Sequence, residues 1–289
     1  MKIDLSQAKI DPLHIYGGAN GSKIGILHQN TTYMMKLPPK PSRNSEMSYT
    51  NSCISEYIAC HIFSHLGIRT QETLLGEYNG RIVVLCKDFE EDGFRLKEFA
   101  YLKNSIIDSE QNGYGTELED ILHTISEQQL VPQSELIRFF WEMFIIDTLL
   151  GNFDRHNGNW GFLVNDNTKE VSIAPIFDCG SCLYPQIDEK LMEIILNDEE
   201  EIDKRVYVFP TSAIKKDNKK INYYQFLMQT DNIECIRALE MISNRIELKS
   251  INQIINSTPY ITDTHKQFLS TMIKERKERI IDRAMQRHY

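Results

Sequence analysis

The sequence has no apolar run near the length of about 18 residues that a membrane-crossing helix needs. Nor does an apolar stretch follow the first lysine of MKIDLSQAKIDPLH, so no signal peptide is expected. Cysteine is scarce and scattered over Cys53, Cys60, Cys86, Cys179, Cys182 and Cys235. Only Cys179 and Cys182 stand as C-x-x-C, and the second pair that a zinc site requires is missing. The cysteines therefore read as reduced packing residues, which fits a reducing, cytoplasmic setting. Positive charge is also short. The formal net charge is -9, so the chain as a whole repels phosphate backbones and nucleic acid is not an expected partner. No internal repeat or low-complexity tract appears.

What is present is an ordinary globular chain of 289 residues, long enough for one large domain or two lobes with a cleft. Lys23–Gln29 and Thr32–Leu37 read as two short strands turning at Asn30–Thr31. Pro38–Ser45 is rich in helix and strand breakers, which excludes a regular element. Ile54, Tyr57, Ile58, Ile62 and Leu66 recur at three- or four-residue spacing, and Gly67 follows them, so a capped amphipathic helix is expected over Tyr49–Leu66. TQETLLGEY and RIVVLCKDF read as a hairpin turning at Asn79–Gly80, the strongest turn signal in the chain. Beyond Glu90 the pattern is mostly helical. Ser134–Leu150 is a strongly apolar helix closed by Gly151, and GFLV and VSIAPIF form a second hairpin around NDNT.

Five constellations carry candidate chemistry. Gly17-Gly18-Ala19-Asn20-Gly21-Ser22 lets the backbone approach a ligand closely and aim N–H groups at phosphate oxygens. Its Gly-Ser-Lys order leads into a strand, which excludes a Walker-type loop and leaves a phosphate-covering loop or a plain turn. Lys36 shares a strand face with Met34, where it either reaches phosphates or guards an edge. Glu56, in a helix of apolar and small residues, either orients that lysine or lies on a solvated face. The strongest constellation is Gly151–Trp160, GNFDRHNGNW, whose polarity directly after FIIDTLL argues against a core position. Asp154 and Asn159 lie five positions apart, the spacing of a catalytic aspartate and a metal-binding asparagine in phosphoryl transfer. Last comes APIFDCG, where Asp178 follows an apolar strand as a metal-binding aspartate does.

Together, Asn152-x-Asp154-x-His156-x-x-Asn159 and Ala-Pro-x-x-Asp178 resemble the HipA-like serine/threonine kinases, and most of all their compact, stand-alone members. The similarity runs from about Ile15 to the end and includes GGANGSKI, KDF, DTLLGNFDRHNGNWGFL and IAPIFDCGSCLYP. It implies an α+β, two-lobed protein-kinase-like fold. Residues 1–88 would form a small strand-rich N-lobe and residues 89–289 a larger helical C-lobe. It further implies ATP and Mg2+ as cofactors, with Asp154 as catalytic base and Lys36 on the phosphates. Asn159 and Asp178 would bind the metal. Gly18, Ala19, Asn20, Gly21 and Ser22 would cover the nucleotide, Glu56 would support Lys36, and Lys87 and Phe89 would flank adenine in the hinge. His156 would support the loop. Ser22 stands where some members autophosphorylate. The chain starts almost at the Gly-rich loop, without the added N-terminal domain of longer HipA toxins, which argues against an antitoxin partner. The resemblance is compatible with a bacterial effector secreted into a host without a signal peptide. Asp-Arg-His-x-x-Asn also resembles the loop of phosphoinositide kinases, so a lipid kinase is the nearest rival, and a pseudokinase binding module is the rival outside catalysis.

Overall fold

The computed structural model describes residues 3–14, 16, 22–38, 50–107 and 111–289. The expected phosphate loop at Gly18, Ala19, Asn20 and Gly21 lies outside these residues, as does segment 39–49. The chain forms two compact units, the first from Met1–Asp88, Ile176–Ile194 and Lys249–Leu269, the second from Phe89–Pro175, Ile195–Leu248 and Ser270–Tyr289.

The first unit is built on six strands, β1 (Ile3–Asp4), β2 (Lys9–Ile10), β3 (Lys23–His28), β4 (Thr31–Lys36), β5 (Thr73–Tyr78) and β6 (Arg81–Lys87), in the order β1-β5-β6-β4-β3-β2. Period-two alternation splits its side chains between two faces. Ile26, Tyr33, Met35, Val83 and Leu85 form one core with Leu5. Met34, Val84, Cys86 and Leu75 form the other, against Cys53 and Tyr57 of helix α1 (Ser52–His65). The Asn79–Gly80 hairpin forms as expected, with both residues at positive φ and Tyr78 opposite Arg81. The first hairpin turns one residue earlier than expected, at Gln29–Asn30, because Thr31 pairs with His28.

The second unit opens with β7 (Phe94–Glu98) and α2 (Phe99–Ile106), followed by α3 (Leu118–Glu127) and α4 (Gln133–Leu150). Next come β8 (Gly161–Asn165) and β9 (Val171–Ile173), and β7-β8-β9 make a three-stranded sheet. Here the mostly helical expectation after Glu90 is corrected: Phe-Arg-Leu-Lys-Glu is a strand because it pairs along its whole length with β8. The later helices of the chain are α5 (Glu189–Leu196), α6 (Glu199–Asp203), α7 (Tyr223–Gln229), α8 (Ile233–Ser243), α9 (Leu248–Ser257), α10 (Asp263–Arg276) and α11 (Arg283–His288), of which α5, α9 and the first half of α10 fall mainly in the first unit. Wider π-type turns extend α6 over Lys204–Val208 and join α10 to α11 over Lys277–Asp282. A ribbon of β10 (Lys215–Lys216) and β11 (Lys219–Lys220) interrupts what read as purely helical. The aromatic core gathers on α4, where Phe140, Trp141 and Phe144 are buried; Trp160 stacks on Phe99 at 3.9 Å between ring centres. Among the described residues no helix is long and apolar enough to cross a membrane, and all six cysteines are free and buried.

Candidate active site

In the first unit, strand parity delivers Lys36 to the face that α1 covers, since it alternates with buried Met35 and shares the side of Met34. Cys53, Glu56 and Cys60 recur on one side of α1 at helical spacing. Lys36 Nζ donates to Glu56 Oε2 at 2.9 Å and to Asp178 Oδ1 at 2.9 Å. Three expected site residues from distant parts of the sequence thus meet at one ammonium group. The Glu56 side chain is only 1% exposed and the Asp178 side chain 39%. Glu56 is therefore sealed from solvent, whereas the Asp178 carboxylate is partly open to it.

The loop that carries Asp178 is set by main-chain bonds. Ile176 donates to the Arg69 carbonyl and Gln71 donates to that of Ile176, which continues the strand geometry up to the aspartate. Asp178 then turns into the left-handed region at φ 53°. The Cys179 N–H donates to Glu56 Oε1 at 3.0 Å, so one buried carboxylate holds both the lysine and the loop. Gly180 permits this approach, since a Cβ there would lie 3.2 Å from Glu56 Oε2. Burial by itself would push the Lys36 ammonium down, but the Asp178 and Glu56 carboxylates outweigh it and hold Lys36 well above the usual lysine value. Burial raises Glu56 above the ordinary carboxylate range, opposed by Lys36.

Ser22 and Lys87 belong to the same unit. Ser22 is exposed at the foot of β3, and its carbonyl accepts from Leu37 N–H. The Lys87 main chain is engaged in the sheet: its N–H donates to the Glu72 carbonyl and its carbonyl accepts from the Gln71 side-chain amide at 2.7 Å. Phe89 opens the second unit, where its carbonyl accepts from Glu91 N–H.

In the second unit, α4 ends at Gly151, whose left-handed φ of 64° reverses the chain into the loop. The expectation that so polar a loop avoids the core is corrected. Asn152, Arg155, Asn157 and Asn159 are all buried, while Asp154 stays partly exposed. Burial is possible because the polar groups satisfy one another. Arg155 grips Asp147 of α4 through Nε to Oδ2 at 2.9 Å and Nη2 to Oδ1 at 3.2 Å, and its Nη1 donates to the Asn159 carbonyl at 2.9 Å. Asn152 Nδ2 donates to Asp147 Oδ1 at 2.9 Å, and Asn152 Oδ1 accepts from the Asp154 N–H at 3.0 Å. The Tyr223 hydroxyl donates to the Asn152 carbonyl. Asn159 Nδ2 donates to the Asp154 carbonyl at 2.8 Å. That bond commits the amide nitrogen and leaves Oδ1 as the side-chain atom of the type a hard cation takes. His156 Nδ1 accepts from Gly158 N–H at 3.0 Å, a loop-supporting contact. Asp147, Arg155 and Asn152 escaped the sequence reading as positioning residues. A signal was there, in the lone carboxylate of FIIDTLL.

A lysine clasped by a buried glutamate beside an exposed aspartate, and a loop that fixes an aspartate and an asparagine five positions apart, describe the parts of a phosphotransferase. The profile of the family described as HipA-like C-terminal domain matches residues 11–274. The chain belongs to this family. It is 53% identical, over 283 residues, to the serine/threonine-protein kinase CtkA of Helicobacter pylori strain J99, covering 98% of this chain and 87% of that protein. It superposes on the crystal structure of the Helicobacter pylori proinflammatory kinase CtkA with a TM-score of 0.95 at 52% identity, over 99% of this chain and 97% of that one. A chain from the Shewanella oneidensis MR-1 toxin–antitoxin complex of HipA, HipB and operator DNA matches with a TM-score of 0.57 at 14% identity, over 96% of this chain and 70% of that one. That likeness carries the fold alone. The α+β kinase-like architecture expected from the resemblance is the one the chain adopts.

Proposed function

We propose that the chain is an ATP- and magnesium-dependent serine/threonine protein kinase of HipA type that also phosphorylates itself. The observation that carries the reading is the clasp of Lys36 by Glu56 with Asp178 on the same ammonium, in a chain 53% identical to a serine/threonine-protein kinase. MgATP supplies the γ-phosphoryl group and the ion that neutralises charge developing on it. Lys36, kept protonated by two carboxylates, holds phosphate oxygens. Glu56 fixes the direction of that ammonium. The Asp178 carboxylate and Asn159 Oδ1 are hard oxygen donors of the kind magnesium takes. Asp154 orients the acceptor hydroxyl and takes up its proton. The residues expected to cover the nucleotide at Gly18–Ser22 and to flank adenine at Lys87 and Phe89 complete the proposed ATP site, and exposed Ser22 is the proposed autophosphorylation site.

The lipid-kinase reading rests on the Asp-Arg-His-x-x-Asn likeness, and in the charged segment KERKERIIDRAMQRHY that could meet anionic lipid, Arg276, Lys277 and Arg279 have internal partners. Arg279 pairs with Glu199, Asp203 and Glu275, Lys277 with Asp282, and buried Arg276 donates to the carbonyls of Thr148 and Arg205. A protein hydroxyl is accordingly the proposed acceptor. The test is incubation of the purified chain with labelled MgATP, with and without lysate proteins or phosphoinositide vesicles, followed by mass spectrometry. Label on serine or threonine supports the reading. Label confined to lipid, or none at all, overturns it.

A further inference from the structure

The ribbon β10–β11 is unlike the rest of this acidic chain. Between Ile214 and Ile221 the sequence reads Lys-Lys-Asp-Asn-Lys-Lys. Asp217 and Asn218 take positive φ and close a two-residue hairpin turn. The register sets Lys215 opposite Lys220 and Lys216 opposite Lys219. Like charges directly opposite on neighbouring strands repel, so folding by itself disfavours this arrangement. Among the described residues none of the four lysines belongs to an ion pair. The Glu117 carboxylate, set against the hairpin, accepts from the Asn218 main-chain N–H at 3.3 Å rather than from a lysine. Apart from Asp217 in the turn itself, the cluster carries its charge outward. Buried Ile214 and Ile221 pin its base, where Ile221 N–H donates to the Ile214 carbonyl.

The hairpin is also tied to the catalytic loop within the second unit. Lys215 N–H donates to the Thr116 carbonyl at 2.8 Å, and Thr116 Oγ1 donates to the Ala213 carbonyl at 2.7 Å. One residue back along that segment, the Gly115 carbonyl accepts from Asn157 Nδ2 at 2.8 Å, and the Gly113 carbonyl accepts from the same nitrogen at 2.9 Å. Asn157 lies inside the loop that runs from Asp154 to Asn159. Segment 113–117 therefore clamps the lysine hairpin to the loop that bears the proposed catalytic aspartate.

We infer that the hairpin Lys215–Lys220 is a docking surface for an acidic segment of the protein substrate, which presents a nearby serine or threonine to Asp154. Resting on the kinase reading, the inference narrows the substrate class to proteins with a carboxylate-rich stretch near the acceptor. Four lysines on one short ribbon, none of them ion-paired among the described residues, complement such a stretch, and the attraction weakens with salt.

The test uses the full chain and two synthetic peptides that share one threonine acceptor, one otherwise neutral and one with a run of glutamates beside it. At low ionic strength kcat/KM for the acidic peptide is expected to exceed that for the neutral one by about 5-fold or more, through KM. The ratio should fall towards one in high salt and in Lys216→Glu/Lys219→Glu. A ratio of one in the parent, or a preference that survives in the double variant, overturns the inference. Turnover of the neutral peptide reports the kinase reading separately, so the two failures are distinguishable. Hairpin-dependent binding to phosphatidylserine vesicles without any peptide preference would also overturn it, by placing a lipid surface where the peptide is proposed.

Discussion

Removing the Asp147 carboxylate should disable the loop that carries Asp154 and Asn159 by stranding a charge. Arg155 and Asp147 are 1% and 2% exposed, and the pair is closed by two N–H···O bonds with a third donated to the Asn159 carbonyl. At 2.9 Å and an effective dielectric of about 20, the gross attraction is about 6 kcal/mol, most of it offset by desolvation. Deleting one partner of such a pair leaves the other uncompensated and costs about 3–5 kcal/mol. Asp147→Ala is therefore expected to lower the melting temperature by roughly 10 °C, at about 2–4 °C per kcal/mol for a protein of this size. Asp147→Leu with Arg155→Met removes both charges and should lose much less stability than the sum of the two single changes. Transfer activity should not return with it, because Asn152 and Asn159 have still lost their anchors. Calorimetry on the two singles and the double, with phosphotransfer measured alongside, checks both halves. A drop of under about 1 kcal/mol for Asp147→Ala, or strict additivity in the double variant, would refute the reasoning.

Two further outcomes follow from the first unit. Lys36→Met leaves Glu56 buried without its cation and should cost roughly 3 kcal/mol along with about 100-fold or more in transfer; adding Glu56→Gln should recover stability but not activity. His265 is buried and, mainly through that burial and against the pull of Glu189, is held down at about 4 from an ordinary value of 6.5. The unfolded chain takes up this proton first as pH falls, so the folded state loses at most roughly 3 kcal/mol between pH 6.5 and 4. His265→Gln should flatten that part of the stability–pH curve, and urea midpoints across the range read it.

The elements most legible in the sequence were those in which local chemistry and packing agree. Asn79–Gly80 forms its turn because both residues adopt positive φ readily, and α4 runs to Gly151 because an apolar helix and its left-handed cap coincide. Strand β7 was not legible, since Phe-Arg-Leu-Lys-Glu is short, has one face only half-buried and the other exposed, and becomes a strand through pairing with β8. The lysine ribbon carries no apolar alternation at all and is held at its ends by Ile214 and Ile221. At the candidate site, spacing singled out Asp154 and Asn159, and parity set Lys36 on the Met34 face of β4, where the structure finds it bonded to Glu56 and Asp178. The buried state of the loop was hidden, because a run of asparagines and an arginine reads as surface until its partners are known. Asp147 supplies the missing partner from the preceding helix.

The central claim is that Asp154 serves the acceptor hydroxyl in phosphoryl transfer. Asp154→Asn tests it most directly, because the Asp154 main chain donates to Asn152 Oδ1 and accepts from Asn159 Nδ2, bonds that the substitution leaves in place. With labelled MgATP and a protein acceptor, the variant is expected to melt within a few degrees of the parent and to lose transfer by about 100-fold or more. A folded Asp154→Asn chain that transfers phosphate as fast as the parent would contradict the account.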